Sequence, residues 1–333
     1  MTEHDVKNNS PINDKNEAKI DDKEKTVEAP EYVLQTPKLF GQHMNELISD
    51  DGDLFMDEYD YFDDNEEDEE YSGTCGEDAG WYLKNGRLVI EGTGKISKVS
   101  GINKKEAEII RCCTKELIIG DGITSIDQFA FYEYVSLESV HFSESLTSIG
   151  KYAFSCCKSL ESITLPEDME LSSLTSIEEG AFRECVSLKE IILPDKVNNI
   201  ARSAFYRCTS LVSINIPKSL RVIAEFTFYE CKSLSSIKLH DNIISIEDFA
   251  FYGCGIVGDV RLPENIECVG ECAFNNCTSV LTVTIPHAMV SKLLVSSDEG
   301  VFEGCNILAT YSYGGVTEVL REIEERSNKN NKK

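Results

Sequence analysis

The chain has 333 residues, 41% of them apolar, enough for one large domain or two ordinary ones with a buried core. Its 32 Lys+Arg against 59 Asp+Glu give a net charge of −27, which disfavours nucleic acid and anionic lipid, both polyanions. No run approaches the ~18 apolar residues of a membrane span, the opening residues lack the basic start and apolar stretch of a signal peptide, and thirteen cysteines, an odd number, exclude a fully paired disulfide framework.

These features predict a cytoplasmic protein without membrane insertion or a nucleic-acid partner. The charge is concentrated at the start. Residues 1–70 hold 23 acidic and 6 basic residues, and Asp50 to Glu70 contains thirteen carboxylates with no Lys or Arg. Like charge at that density leaves too little apolar surface to offset an ordering cost of roughly 1–2 kcal/mol per residue, so 1–70 is expected to be a disordered acidic arm. Within it, Leu54, Phe55, Met56, Tyr59, Tyr61 and Phe62 alternate with acids. That pattern suits a basic partner with an apolar groove, against the plainer reading of a solvated charge run. Asp50, Asp51 and Asp53 lack the EF-hand spacing with Gly at its sixth position, so calcium is not implied.

From Tyr71 the texture changes. Trp81 and Leu83 alternate, Asn85-Gly86 offers a type I′ turn, and Leu88 and Ile90 alternate on the return, which reads as a β-hairpin. With the lead-in Leu117-x-Ile119, residues 71–119 are expected to cap the N-terminal end of a stack built by the rest of the chain.

Phenylalanine then recurs at 131, 154, 182, 205, 228, 251, 274 and 302, at intervals of 23 residues with two five-residue insertions. Other positions keep step. The residue before each Phe is small, as in Ala130, Ala204 and Thr227; cysteine follows three later at 157, 185, 208, 231, 254, 277 and 305; Leu or Val follows six later, from Leu137 through Val257 and Val280 to Leu308. Pairs such as Ile163/Leu165, Ile214/Ile216 and Val260/Leu262 come nine and eleven after the Phe, and an Ile or Val stands five before the next one. Identical spacing lets each coil stack its apolar residues on like residues of the last, so 120–310 is predicted to be a β-rich repeat solenoid. The paired apolar positions have period 2 and predict one parallel strand per coil, about 4.8 Å from the next. At the end, Val316 to Glu325 has helical spacing before a polar tail, giving a C-terminal segment over 311–333.

The unit Ala-Phe-x-x-Cys-x-Ser-Leu-x-x-Ile-x-Leu-Pro resembles the BspA-like leucine-rich repeat, and YSGTCGEDAGWYLKNGRLVIEGTGKI is similar to the segment that often precedes such repeats. The resemblance covers about 71–310. It implies a curved, right-handed leucine-rich-repeat coil with short helical or 3-10 turns and a noncatalytic binding role. It also implies kinship with surface proteins of bacteria and of parasitic or commensal protozoa that act in adhesion, which sets a cell-surface location against the cytoplasmic one.

Three readings compete for the cysteine ladder. The thiols fill the bend after the Phe as buried weak donors to a backbone carbonyl; or adjacent rungs form disulfides, although side chains in register point in parallel; or they bind zinc, without the paired C-x-x-C knuckle that such sites use. The five histidines form no catalytic or metal signature, and Gly-Thr-Gly at 92–94 lacks the rest of a phosphate loop, so neither an enzyme nor a cofactor is implied. Outward positions of the stacked strands are the candidate binding residues, notably His141, Glu190, Asn215, Lys238, Asp259 and Arg261, since a solenoid offers a long rigid surface at little ordering cost. The functional expectation is a protein-interaction module, an adhesin or scaffold with its protein partner on the strand face. Its rivals are a surface adhesin exported without a visible signal and a metal-dependent or catalytic protein.

Overall fold

A left-handed pair at Asn85 and Gly86, φ +51° and +72°, makes the turn that folds β2 (Asp78–Lys84) onto β3 (Arg87–Ile96) in this computed structural model. Trp81 sits opposite Ile90 and Leu83 opposite Leu88, all four buried, and β1 (Tyr71–Thr74) pairs antiparallel with the far side of β2. The structure describes residues 70–99, 104–166, 170–289, 300–307 and 309–312. The acidic arm, apart from Glu70, and the C-terminal helix expected from the sequence lie outside these residues.

Strand β3 starts two ladders. Its first half pairs in parallel with β4 (Glu116–Ile119), and its second half with β5 (Ile123–Ile126). Between β3 and β4 the chain forms α1 (Lys104–Cys113), not anticipated from the sequence, which buries Ile109 and Ile110. The first ladder continues from β4 through β6 (Ser139–His141), β8 (Ser162–Thr164), β10 (Glu190–Ile191) and β12 (Ser213–Ile214). The second runs from β5 through β7 (Ser148–Ile149), β9 (Ser176–Ile177) and β11 (Asn199–Ile200). Further along, β13 (Val222–Ile223), β14 (Ser245–Ile246) and β16 (Cys268–Val269) form one parallel set, and β15 (Gly258–Arg261), β17 (Val280–Ile285) and β18 (Ala309–Ser312) another. The architecture is therefore a β-rich parallel solenoid. Most coils carry a second short strand beside the one that the sequence pattern predicts, because the Ile five before each Phe buries itself and its backbone pairs with the next coil.

The phenylalanines lie in single file. Rings of consecutive coils stack at 5.1, 5.5, 5.5, 5.7, 5.3, 5.0 and 5.3 Å from Phe131 to Phe302, nearly parallel throughout. The first seven are fully buried and Phe302, in the last described coil, is partly buried.

Around each Phe the backbone makes a tight bend whose geometry recurs. The residues two before and two after it have positive φ in every coil, among them Phe129, Glu133, Ser203, Arg207, Phe226 and Glu230, all near +55°. Side chains other than Gly lose roughly 1 kcal/mol or more in this region. What holds them there is a backbone ladder: the Ser203, Phe205 and Arg207 N–H groups donate to the Glu225, Thr227 and Tyr229 carbonyls of the next coil at 3.0, 3.0 and 2.8 Å, and the same triple repeats along the stack. Each bond contributes about 1 kcal/mol net, so three offset the strain of two. Gly180 occupies one such position for a second reason, because a Cβ there would lie 2.3 Å from the Tyr152 ring.

One core assignment needs correction. In the coil of Phe251 the residue six later, Val257, is 62% exposed, and its neighbour Ile256 is buried in its place. A register irregularity between Gly258 and Asp259 then restores the phase, so that Val260 and Leu262 point inward like their counterparts. Gly255 and Gly258 bracket the shift, and Leu308, assigned to the same column, lies outside the described residues.

Candidate interaction surface

The solenoid has a bend side and a strand side, and they differ in which groups stay available. On the bend side the seven rung thiols each donate to the carbonyl of the Phe one coil back: Cys157 to Phe131 at 3.2 Å, Cys185 to Phe154 at 3.1 Å, and so on to Cys305 and Phe274 at 3.1 Å. Burial pushes the thiols of Cys157, Cys185, Cys208, Cys231 and Cys254 well above the range of a free cysteine. All described cysteines are free. The first of the three readings is the one the structure shows, with the acceptor on the neighbouring coil rather than within the same bend.

A second aromatic column lies outside the Phe file. Tyr206, Tyr229 and Tyr252 stack at 4.9 and 4.8 Å, the Arg183 guanidinium lies 4.5 Å over the Tyr206 ring, and the Arg207 Nε donates to Glu230 Oε2 at 2.8 Å. These side chains are already engaged with one another.

On the strand side the six candidates fall into three groups. His141 on β6 places its Nε2 3.2 Å from Glu116 Oε1, and Arg87 Nε lies 3.2 Å from the other Glu116 oxygen, a polar rung across three strands. Asn215 points at the preceding coil: its Oδ1 accepts from the Leu193 N–H at 2.7 Å and its Nδ2 donates to the Leu193 carbonyl at 2.8 Å. That amide replaces a missing backbone rung. Glu190, Lys238, Asp259 and Arg261 are exposed. Asp259 accepts from Thr282 Oγ1 at 2.7 Å, and Arg261 lies 3.9 Å from Glu264. Asp259 and Arg261 share one strand, with Lys238 on the coil before; His141 and Glu190 stand on other coils, so the candidates do not converge on one centre.

Several exposed apolar residues on this side do not stand out in the repeat pattern. Val212 and Leu281 occupy the same repeat position, seven after the Phe, and are 49% and 41% exposed; Ile192 is 61% exposed. The position seven after the Phe is Glu138, Glu161, Lys189, Ser235 and Gly258 in other coils, so Val212 and Leu281 depart from their column. Among the described residues no group of His, Cys, Asp or Glu side chains is arranged to hold a metal ion, and no helix is long and apolar enough to cross a membrane.

The sequence matches the BspA type leucine rich repeat region, in six copies, over residues 109–209, 169–280 and 198–331. The chain belongs to this family. The BspA-type repeat accounts for the Phe, Cys and Leu columns of the solenoid. No curated protein matches the chain. Among solved structures it is similar to a leucine rich cell surface protein from Faecalibacterium prausnitzii, at 25% identity over 64% of this chain and 54% of that one, with a TM-score of 0.49. A leucine-rich repeat protein from Bacteroides ovatus gives 24% identity, 66% and 64% coverage and a TM-score of 0.49; one from Eubacterium ventriosum gives 20%, 73% and 78%, and 0.40. The chain thus spans about half the length of the F. prausnitzii protein.

Proposed function

We propose that this chain is a noncatalytic protein-interaction module that takes a protein partner on the strand face of its solenoid, in adhesion or as a scaffold. Membership in the BspA-type family suggests a protein-interaction or adhesion role. The observation that carries the choice of face is the division of labour between the two sides. Bend donors, thiols and aromatic rings are consumed between coils, whereas the strand side offers Ile192, Lys238 and Arg261 as exposed side chains on folded coils. A coil that is already folded loses little entropy on binding. On this reading Lys238, Asp259 and Arg261 contact the partner directly, Glu190 lies along the same face, and Asn215 and His141 hold neighbouring coils in place.

The N-terminal hairpin is proposed as the cap of the stack, and the acidic arm as a site for a basic partner. Photo-crosslinking residues at 192, 238 and 261 should yield adducts with the native partner in cells, while the same residue at Lys158 and Lys232 on the bend side should yield none. Adducts from the bend positions alone would overturn the assignment of the face. Protease treatment of intact cells separates display at the surface from an internal scaffold.

A further inference from the structure

The two strand ladders do not run unbroken through the stack. One stops between the coil of Phe205 and the coil of Phe228, where β11 has no ladder partner in β13; the strand-face ladder ends at β12 and resumes at β15, since residues 236–239 in the coil of Phe228 form no strand. Individual hydrogen bonds give the same picture. Asn198 N–H donates to the Thr175 carbonyl at 3.0 Å and Ala201 N–H to Ile177 at 2.9 Å on one side; Ile244 N–H donates to Arg221 at 2.8 Å and Glu247 N–H to Ile223 at 2.9 Å on the other. At the boundary itself the equivalent bonds, from Arg221 to Asn198 and from Ala224 to Ile200, are missing among the described residues. The spacing of the Phe file is also greatest here, 5.7 Å.

The bend at this boundary is intact. Three backbone bonds cross it at 2.8–3.0 Å, the Cys231 thiol donates to the Phe205 carbonyl at 3.2 Å, Tyr206 and Tyr229 stack at 4.9 Å, and Arg202 pairs with Glu225 at 3.3 Å. On the other side, among the described residues, four contacts cross: the Ser233 N–H to Thr209 at 3.2 Å, the Ser235 N–H to Val212 at a long 3.3 Å, the His240 ring to the Pro217 carbonyl at 2.9 Å and the Asn242 amide to the Lys218 carbonyl at 2.9 Å, two of them from side chains.

A difference in sequence coincides with the boundary. Every other coil from Phe131 to Phe274 has Ala before its Phe; here it is Thr227, buried between Ala204 and Ala250 in the column. Its hydroxyl donates to the Ala224 carbonyl of its own coil at 2.7 Å. A larger side chain in a close-packed column is accommodated by shifts of its neighbours.

We propose that this boundary is a built-in hinge: the two halves of the solenoid pivot on the bend, propped by Thr227, and the strand face opens and closes between Asn215 and Lys238. A stack held by a full backbone ladder along one edge and by fewer bonds along the other yields first by rotation about the better-held edge. The motion adjusts the face that carries the candidate residues, and it is present whether or not a partner binds there.

Two measurements on the full chain test it. Spin labels carried on p-acetylphenylalanine at Thr164 and Lys238, on the strand side, should give a distance distribution about twice as wide as labels at Lys158 and Lys232, which lie on the bend side of the same coils. Thr227→Ala should narrow the strand-side distribution toward the bend-side width. By amide exchange, Arg221 and Ala224 should exchange on the order of 100-fold faster than Asn198, Ala201, Ile244 and Glu247. Equal widths on the two sides, or equal protection of the six amides, would overturn the hinge; a width unchanged in Thr227→Ala would overturn the part given to Thr227.

Discussion

Raising the pH should unfold this protein through its cysteine rungs. The thiols of Cys157, Cys185, Cys208, Cys231 and Cys254 are wholly buried, and burial raises each above its ordinary value of 9.0. The folded state therefore holds these protons more tightly than the unfolded chain. Their contribution is fully present below about pH 9 and is lost as the pH rises above it, because only the unfolded thiols ionise. At about pH 10 an unfolded thiol is roughly nine-tenths ionised, which favours the unfolded chain by about 1.4 kcal/mol. Five rungs lose about 7 kcal/mol together, comparable to the whole stability of an ordinary domain. Urea midpoints followed by circular dichroism between about pH 7.5 and pH 10, with a reductant present, should fall steeply above pH 9. Cys208→Ala should be less stable at neutral pH yet should lose about one fifth of the alkaline slope. A midpoint that stays level to pH 10, or a slope unchanged in Cys208→Ala, would refute the claim that the rungs are buried neutral donors.

The ring file predicts a position-dependent cost: Phe205→Ala, between two stacked neighbours, should cost about 4–5 kcal/mol in chemical denaturation, and Phe302→Ala, stacked on one side among the described coils and partly buried, about half. Asn215→Ala should cost about 1–2 kcal/mol through the loss of both bonds to the Leu193 backbone. The double change Lys238→Glu with Arg261→Glu should leave stability within about 0.5 kcal/mol, both residues being exposed, while weakening the native partner by at least ~10-fold in a binding assay; unaltered binding would move the interface elsewhere. A chromogenic thiol reagent should find Cys268, the exposed one, reactive at once in the native protein and the buried rungs only as the stack opens.

The repeat is legible because stacking forces it into the sequence: a ring can lie above a ring only if each coil uses the same number of residues in reaching it. The spacing from Phe131 to Phe302 consequently reveals the order of coils, the inward columns and the inserted loops. Hydrogen bonds of backbone to backbone leave no such trace. Phe129, Ser203 and Phe226 adopt the same left-handed conformation with three side chains that share no preference for it, because the partner carbonyl on the next coil decides the geometry. Counting places Val257 in the core; the glycines at 255 and 258 let the chain slip one residue and bury Ile256 instead. Of the candidate binding residues, Asn215 illustrates the limit of reading outward positions as free ones. An amide side chain can copy the donor and acceptor of a peptide bond, so it can sit at an outward position and still be fully occupied by chemistry.

The same distinction bears on where a partner can hold this molecule. A side chain that already satisfies a neighbouring coil must break that contact before it can serve a ligand, and the gain is reduced by what is broken. On the bend, Arg183 lies over Tyr206 and Arg207 is bonded to Glu230, so recruiting either would loosen the edge that fastens the stack. On the strand face Arg261 lies 3.9 Å from Glu264, three residues along its own coil. A ligand that recruits Asp259 on that face competes with the Thr282 hydroxyl of the next coil, and because the face spans the boundary where the ladders stop, a partner that touches both the coil of Asn215 and the coil of Lys238 would also fix the angle between them.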